Sequence, residues 1–450
     1  MSSKKKTTAT KEDGKPAPVP KLRFPEFRKA KGWHVMKLNA LLFEAKRRNR
    51  TLELGPADVL SVSGEHGCVN QIEFMGRSYA GVTVKDYHVI ERGDIVYTKS
   101  PLKRNPYGII KENKGKRGIV STLYAVYRPF PGCSATYLDH FFSVDYNLNA
   151  YLQPIVKKGP KNDMKVNNAD VLKGDICAPE LPEQQKVAKC LSSVDELIAA
   201  QARKLDALMA HKKGLMLQLF PREGETQPRL RFPEFQNKGE WVAEPFHVLY
   251  EFKPTNTYSR VQLNYSSGQA KNIHYGDIHT KFSTSFRIRA EVVPFVNPSE
   301  SLALVKSDAY CQQSDMIFAD ASEDLADVGK SIQLLDLNGE KVLSGSHTIL
   351  ARQKGAFFIL GFAGHLFKGR GIRAQIEKEA QGTKVLQISP GRLAGINVPF
   401  PQNKAEQQRI ADCLTTLDDI IAAQTQKLEA LKTHKKGLMQ QLFLSPEDKS

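Results

Sequence analysis

The sequence predicts an α+β protein with two mixed α/β domains separated by two long helices. The helices are expected to pair as an antiparallel coiled coil, which gives a pseudo-two-fold symmetric chain. A helical segment occurs twice without a gap, at 183–220 and 406–443, with about two thirds of its positions identical. The motif Leu-Arg-Phe-Pro-Glu-Phe, followed by Trp, also occurs twice, within 22–33 and 230–241. The segments between these repeats differ, so two different surfaces are presented symmetrically.

The repeated segment has the spacing of a coiled-coil helix. Its apolar residues alternate in steps of four and three, a period of about 3.5 residues. Polar residues recur at equivalent places, Gln201 with Gln424 and Lys212 with Lys435, and such groups fix register at a cost in stability. The predicted seam positions are Val187, Leu191, Val194, Ile198, Gln201, Leu205, Leu208, Leu215, Leu219, Ile410, Leu414, Leu417, Ile421, Gln424, Leu428, Leu431, Leu438 and Leu442.

The repeats also define the domain boundaries. Residues 1–20 are rich in Lys, Thr, Ser and Pro and predict a disordered basic tail. The mixed α/β domains occupy 21–180 and 242–402, the repeated helices 181–220 and 403–443, and a linker 221–241. Residues 444–450 form a C-terminal tail. This circular order predicts that residues 22–27 pack near the end of the second helix, as the linker does for the first.

Strand signals occur in both domains, punctuated by Gly and Pro. In the first domain they cover 59–62, 88–90, 94–97 and 123–127, with a short helix over 137–146. In the second they cover 316–318, 332–335, 348–350 and 357–360. Segment 92–97 corresponds to 313–318, and 172–176 corresponds to 393–397. The two domains are therefore expected to share one fold whose surfaces have diverged.

Composition limits the function. The net charge of +17 and pI of 9.4 favour a polyanionic partner. No apolar run approaches the length of a membrane span, and the N-terminus does not read as a signal peptide. Six cysteines without a Cys-x-x-Cys pair argue against a disulfide scaffold and a zinc site. We expect a cytoplasmic protein that does not associate with membranes.

Loops dense in cations, with an aromatic or amide residue among them, are the candidate nucleic-acid contacts. Lys and Arg bind phosphates, whereas Asn, Gln and Arg read base edges. A solvated surface charge is the alternative for any single cation. The candidates are Lys99, Lys103, Arg104, Asn105, Tyr107, Lys157, Lys158 and Lys161 in the first domain, and Arg287, Arg289, His347, Lys368, Arg370 and Arg373 in the second.

A search for catalytic motifs favours a binding protein. There is no Gly-x-x-x-x-Gly-Lys-Ser/Thr phosphate loop, and no nucleophile is recognisable beside a base. Two alternatives remain open. Asp94, Glu112 and Lys114 could serve a stand-alone metal-dependent endonuclease, although the second domain has no counterpart. The chain could also be a coiled-coil scaffold that bridges acidic partners other than nucleic acid.

The order of these parts resembles the specificity subunit of type I restriction–modification systems. The resemblance covers essentially the whole chain after the tail. It is carried by the duplicated Leu-Arg-Phe-Pro-Glu-Phe and Trp motif, by Gly-Asp-Ile-Val at 93–96, and by the Pro-rich approach at 179–185. The duplicated helix ends, Lys-Lys-Gly-Leu-Met-x-Gln-Leu-Phe, complete it.

This resemblance implies two target recognition domains, each reading half of a split double-stranded DNA sequence in the major groove. The paired helices would set the gap between the halves. It also implies docking of two modification subunits, which carry S-adenosylmethionine and methylate adenine, and of ATP- and Mg-dependent restriction (translocase) subunits. This chain would then hold no cofactor, metal or catalytic residue.

Overall fold

The computed structural model describes residues 18–81, 83–158 and 164–444, except for the side chains of Lys158 and Lys165. Most of the predicted N-terminal tail and nearly all of the C-terminal tail lie outside these ranges. The chain divides into two compact units. The first contains the residues up to Gln201 together with those from Lys427 onward, and the second is Ala202–Gln426.

In the part of the chain that the structure describes, the first domain combines short strands with four α-helices. Its strands are β1 (His34–Lys37), β2 (Leu42–Glu44), β3 (Leu60–Ser63), β4 (Gly67–Asn70), β5 (His88–Ile90), β6 (Ile95–Thr98), β7 (Ile109–Glu112), β8 (Gly118–Val120), β9 (Tyr124–Pro129), β10 (Lys157–Lys158), β11 (Met164–Lys165) and β12 (Asp175–Ala178). Its helices are α1 (Gln71–Met75), α2 (Ala135–Phe142), α3 (Asp145–Leu152) and α4 (Asn168–Val171). The long helix α5 (Leu181–Leu219) follows.

A four-stranded antiparallel sheet, in the order β2-β9-β6-β7, forms the centre of this domain. Ile95 and Tyr97 of β6 are fully buried, as suits β-branched and aromatic residues in a central strand. Helix α2 packs on β7 and places Tyr137 against Trp33, with ring centroids 6.2 Å apart. β1 pairs with β12, so the two ends of the domain meet just before α5.

The second domain is built in the same way. Its strands are β13 (Val242–Pro245), β14 (Tyr250–Lys253), β15 (Leu263–Asn264), β16 (Lys271–Ile273), β17 (Ser285–Arg287), β18 (Phe295–Val296), β19 (Met316–Ala319), β20 (Ala321–Ser322), β21 (Ser331–Asp336), β22 (Val342–Ser344), β23 (Thr348–Gln353), β24 (Leu386–Gln387) and β25 (Asn397–Phe400). Its helices are α6 (Phe246–Leu249), α7 (Tyr275–Thr280), α8 (Phe362–Leu366), α9 (Arg370–Glu379) and α10 (Pro390–Ala394). The second long helix, α11 (Lys404–Leu442), follows.

The two central sheets share one topology. The order β14-β23-β19-β21 repeats β2-β9-β6-β7, and β17 adds in parallel to β21. Asp94 and Asp315 precede the equivalent strands β6 and β19. Each carboxylate pairs with an arginine of the neighbouring strand, Arg128 at 2.8 Å and Arg352 at 2.7 Å. β13 also pairs with β25 as β1 does with β12. The predicted correspondence of 92–97 with 313–318 is confirmed. The second is shifted by one residue, because the strand pairing makes Asp175 equivalent to Asn397, so 172–176 corresponds to 394–398 rather than to 393–397.

Two local predictions need correction. The predicted strand at 357–360 is wrong, because these residues form an irregular segment. Their apolar character comes from packing: the Phe358 ring lies 4.9 Å from that of Phe400, and the Ile359 N–H donates to Gln407 of α11 at 2.9 Å. The single helix predicted at 137–146 is two helices, α2 and α3, separated at Ser143, whose hydroxyl donates to the Asp139 carbonyl.

Within each unit, the parts of α5 and α11 run antiparallel. In the first unit, Leu191 near the start of α5 shares a core with Leu442 at the end of α11. Further along α5, Asp195 pairs with Lys435 at 2.5 Å. In the second unit the end of α5 meets the start of α11, and Lys212 pairs with Asp418. The predicted α+β class and antiparallel helix pairing are therefore confirmed, and the predicted seam positions are all buried or half-buried.

A buried glutamate ties the start of each long helix to the duplicated motif. In the first unit, the Glu183 carboxylate accepts hydrogen bonds from Arg23 at 2.8 and 2.7 Å and from the Trp33 indole at 3.3 Å. Only 4% of its side chain is exposed. Hydrogen bonds from a cation and an indole offset the cost of burying this carboxylate.

The second unit repeats the arrangement with Glu406. Its carboxylate accepts hydrogen bonds from Arg231 at 2.6 and 2.7 Å and from the Trp241 indole at 3.1 Å. Its side chain is 1% exposed. The Arg and Trp of the motif therefore recur because both bind one acceptor at the helix start.

The same motif also binds the end of a long helix. The Leu22 N–H donates to the Gln441 carbonyl of α11, and the Leu230 N–H donates to the Gln218 carbonyl of α5, each at 2.9 Å. Both bonds satisfy last-turn carbonyls that have no partner within the helix. The prediction that residues 22–27 pack near the end of the second helix is confirmed.

A buried histidine joins each domain to its helices. His140 of α2 lies 3.2 Å from the Ser192 hydroxyl of α5, and its other ring nitrogen lies 4.0 Å from Asp195. The second unit repeats this geometry. His365 of α8 lies 3.1 Å from the Thr415 hydroxyl, with Asp418 at 4.0 Å. Burial lowers the pKa of His365 to about 4, so its ring is neutral at pH 7.

We predict that Glu406→Ala lowers the free energy of unfolding by about 3–5 kcal/mol, because Arg231, whose side chain is only 14% exposed, is left without its ion-pair partner. Urea unfolding followed by tryptophan fluorescence measures the change. Glu429→Ala is the control, because that carboxylate forms an exposed pair with Lys432 on α11, and exposed pairs contribute about 0–1 kcal/mol. Equal effects of the two substitutions would contradict the assigned role of Glu406.

Because His365 is buried, the stability of the folded chain is predicted to depend on pH. A folded-state pKa of about 4, below the ordinary 6.5, means that only the unfolded chain takes up this proton between those values. Stability is full above pH 6.5 and falls as pH decreases toward 4, by at most about 1.4 kcal/mol per pH unit for this group. His365→Gln should flatten this part of the stability profile in urea unfolding measured from pH 7 to 4. An unchanged slope would contradict the assignment.

Candidate nucleic-acid interface

The second domain carries a surface on which cations and aromatic rings alternate. We call it the second-domain surface and define it by Arg260, Tyr265, Tyr275, Lys281 and His347. Arg260 lies before β15 and Tyr265 directly after it, Tyr275 and Lys281 lie on and just after helix α7, and His347 lies in the turn between β22 and β23. Cations interleaved with aromatic rings suit nucleic acid, because the cations bind phosphates and the rings stack on bases.

A buried carboxylate organises the cations of this surface. Asp277 Oδ1 of α7 forms ion pairs with a guanidinium nitrogen of Arg260 at 2.7 Å and with Lys281 Nζ at 2.9 Å. Burial raises the pKa of Asp277, but hydrogen bonds from both cations outweigh burial and the pKa lies below its ordinary value. One negative charge thus faces two positive charges, which leaves an excess positive charge. The Lys281 ammonium also lies 5.8 Å from the centre of the Tyr265 ring.

Imidazole rings surround Tyr275. The ring centroids of His274, His347 and His279 lie 4.7, 5.3 and 6.1 Å from that of Tyr275. His274 Nδ1 accepts the Gly276 N–H at 3.1 Å at the start of α7. Burial, followed by the nearby cations, lowers the pKa of His274. His347 is the exposed member of this group, with half of its side chain accessible.

The other second-domain candidates lie elsewhere. Arg287 and Arg289 are exposed at the end of the edge strand β17, and Arg289 bonds to the Asn338 side chain. Exposed Arg370 pairs with Glu377 at 2.7 Å.

Lys368 and Arg373 are turned inward instead. Lys368 donates to the Thr284 hydroxyl, and burial lowers the pKa of Lys368 to about 8. Arg373 donates to the Val328 carbonyl at 2.6 Å and to the Ala326 carbonyl at 3.1 Å. Both cations have internal partners, and their predicted DNA contacts stay predictions.

In the first domain, the predicted loop after β6 divides into exposed and buried parts. Lys103 and Arg104 are exposed. Asn105 is buried and donates to Asp145 at 2.8 Å. Gly108 has φ +93°, and a Cβ there would lie 2.0 Å from the Thr98 carbonyl, so only glycine fits this turn.

The remaining first-domain candidates lie in different environments. Lys99 is half-buried, and burial lowers its pKa. The Tyr107 carbonyl accepts the Tyr97 hydroxyl at 2.8 Å. Lys157 is exposed on β10. The Lys158 side chain and Lys161 lie outside the described part of the chain.

The structure shows a groove in the first domain that the sequence does not predict. It lies between α1 and the turn before β8, lined in part by Asn70, Phe74, Lys116 and Arg117. Phe74 is half exposed and its ring lies 4.9 Å from that of His66. Phe74 and Lys116 are separated by some forty positions in the chain, so no local sequence pattern indicates the groove.

The endonuclease alternative has no support in this geometry. Asp94 is held by Arg128, and Glu112 accepts the Thr136 hydroxyl at 3.1 Å. Lys114 pairs with Asp139 at 2.7 Å. Over the described ranges, no group of three or more His, Cys, Asp or Glu side chains is placed to hold a metal ion. None of the helices described is long and apolar enough to cross a membrane.

The fold defines a class of protein in which an α/β domain and a long helix each occur twice. The two copies of the domain present different surfaces. Residues 282–433 match the family model for the type I restriction modification DNA specificity domain. The chain is also 22% identical over 306 residues to a protein of Methanocaldococcus jannaschii described as a candidate specificity subunit of the type I restriction enzyme MjaX. That alignment covers 64% of this chain and 63% of the relative's length.

Two solved structures share the fold. The S subunit of a type I restriction-modification system from M. genitalium superposes with a TM-score of 0.56 at 11% identity, covering 95% of this chain and 99% of that one. A chain from a structural study of type I restriction-modification complex assembly gives 0.50 at 15% identity, covering 91% and 96%. The resemblance identified in the sequence is confirmed: residues 282–433 match the model of the type I restriction modification DNA specificity domain, and the chain has the fold of the two solved structures.

Proposed function

We propose that this chain is the DNA-recognition subunit of a type I restriction–modification complex, with each domain reading one half of a split target. The observation that carries the proposal is the repetition of one scaffold under two different surfaces. The Glu183 and Glu406 clusters are nearly superposable in their contacts. The second-domain surface combines Arg260 and Lys281 with tyrosine and histidine rings, whereas the first-domain groove is lined in part by an amide, a phenylalanine and two cations.

Charge supports DNA as the partner. The chain has a net charge of +17, and the Arg260, Lys281 and Asp277 group adds local positive charge beside the exposed ring of Tyr265. Helices α5 and α11 would act as the spacer between half-sites, which lie about one helical turn of DNA apart in two-fold readers. The scaffold alternative, in contrast, gives no reason for basic and aromatic residues to meet on one surface.

The partners follow from the same proposal. Two modification subunits would supply S-adenosylmethionine and adenine methylation, and restriction subunits would supply ATP- and Mg-dependent translocation and cleavage. This chain would choose the site and contribute no reacting group. The predicted cytoplasmic location remains part of this proposal.

The direct experiment is methylation-sensitive long-read sequencing of a host that expresses this chain with its modification subunit. The expected result is a split motif methylated at adenine, which disappears when this chain is omitted. If both proteins are soluble and copurify but produce no motif, the recognition function proposed here is wrong.

A second prediction concerns the salt dependence of DNA binding. Lys281→Ala removes one exposed cation, while Asp277 keeps its pair with Arg260. We expect weaker binding to all duplexes and a slope of log affinity against log salt shallower by about 1, because one phosphate contact is lost. Fluorescence anisotropy with a labelled duplex measures it. Lys432→Ala on α11 is the matched control, and an equal effect of both variants would contradict the assignment.

A further inference from the structure

The turn between β22 and β23 holds His347 in an unusual conformation. Its φ is +56°, in the left-handed region that non-glycine residues rarely occupy and that often marks a functional site. The turn is fixed on both sides. Ser344 and Thr348 bond through their hydroxyls at 2.7 Å, and a Cβ on Gly345 would lie 2.6 Å from the Asn272 side chain.

The imidazole of His347 is oriented by two neighbours. The Asp320 N–H donates to the His347 carbonyl at 3.1 Å, and the Asp320 carboxylate lies 3.3 Å from Nδ1. The edge of the ring meets Tyr275, 5.3 Å away between centroids. A carboxylate beside Nδ1 favours a proton on that nitrogen, so Nε2 becomes the acceptor of the neutral ring.

The residues around His347 indicate which groups of a nucleic acid its Nε2 acceptor could bind. Half of the His347 side chain is exposed, and Tyr275, which it touches, precedes the Asp277 group that holds Arg260 and Lys281. Those cations would bind the phosphates that flank a groove. In the major groove, the donors that an acceptor can read are the amino groups of cytosine and adenine.

We propose that His347 is a specificity-determining residue of the second domain, whose Nε2 accepts a hydrogen bond from an amino group of cytosine or adenine in one half of the target. Asp320 is then a positioning residue that orients the ring. This inference rests on the proposed function and deepens it, because it names the base edge that one side chain reads.

The test uses the full chain with its modification subunit and takes the methylated motif of the wild type as reference. His347→Gly removes the ring and suits the left-handed backbone, so the turn is retained. We expect discrimination at one or two adjacent positions of one half-site to fall by about 10-fold or more, with the other half unchanged. Asp320→Asn should weaken discrimination at the same positions only.

Ser314→Gly is the matched control, because Ser314 also has a positive φ of +75° and its counterpart in the first domain is Gly93. This variant should leave the whole motif unchanged. An unchanged motif for His347→Gly at wild-type melting temperature would overturn the inference, as would uniform loss of methylation at every site. A wild-type chain that yields no motif would instead refute the proposed function itself.

Discussion

The structure depends on a buried glutamate at the start of each long helix. Glu183 and Glu406 are nearly inaccessible, and each accepts hydrogen bonds from an arginine and a tryptophan of the motif that opens its unit. A buried carboxylate is strongly unfavourable unless it is paired and hydrogen-bonded. The motif and the helix start must therefore be in contact in the folded chain, although 160 residues separate Arg23 from Glu183 and 175 separate Arg231 from Glu406. The intervening domain is closed into a unit as a consequence.

A second polar contact joins each domain to both helices of its unit. His140 and His365 reach a hydroxyl on one helix, and the neighbouring aspartate pairs with Lys435 or Lys212 of the other. These lysines are the polar seam residues that the heptad pattern leaves unexplained. Because these contacts hold the domains and the long helices together, the sequences of the exposed loops can differ between the two domains without loss of the fold. That freedom is what allows one fold to present two surfaces, and what the proposed recognition of two half-sites requires.

Much of the fold could be predicted from sequence because it is duplicated and periodic. The helices, the domain correspondence and the packing of residues 22–27 all follow from repeats. The site could not be predicted in the same way. Arg260, Tyr275 and His347 lie far apart in the chain, and only the topology brings them together. Lys368 and Arg373 resemble surface cations in sequence, yet their stems and charges turn inward to internal acceptors, and no local pattern distinguishes the two cases.

The most direct test of the central claim is an exchange of residues 34–180 for the corresponding segment of another specificity subunit. The adenine-methylated motif produced with the modification subunit is then compared with that of the original chain. If each domain reads its own half of the target, one half of the motif changes while the other half and the spacing remain. A change in both halves would contradict the account, because it would mean that the two domains do not recognise DNA independently.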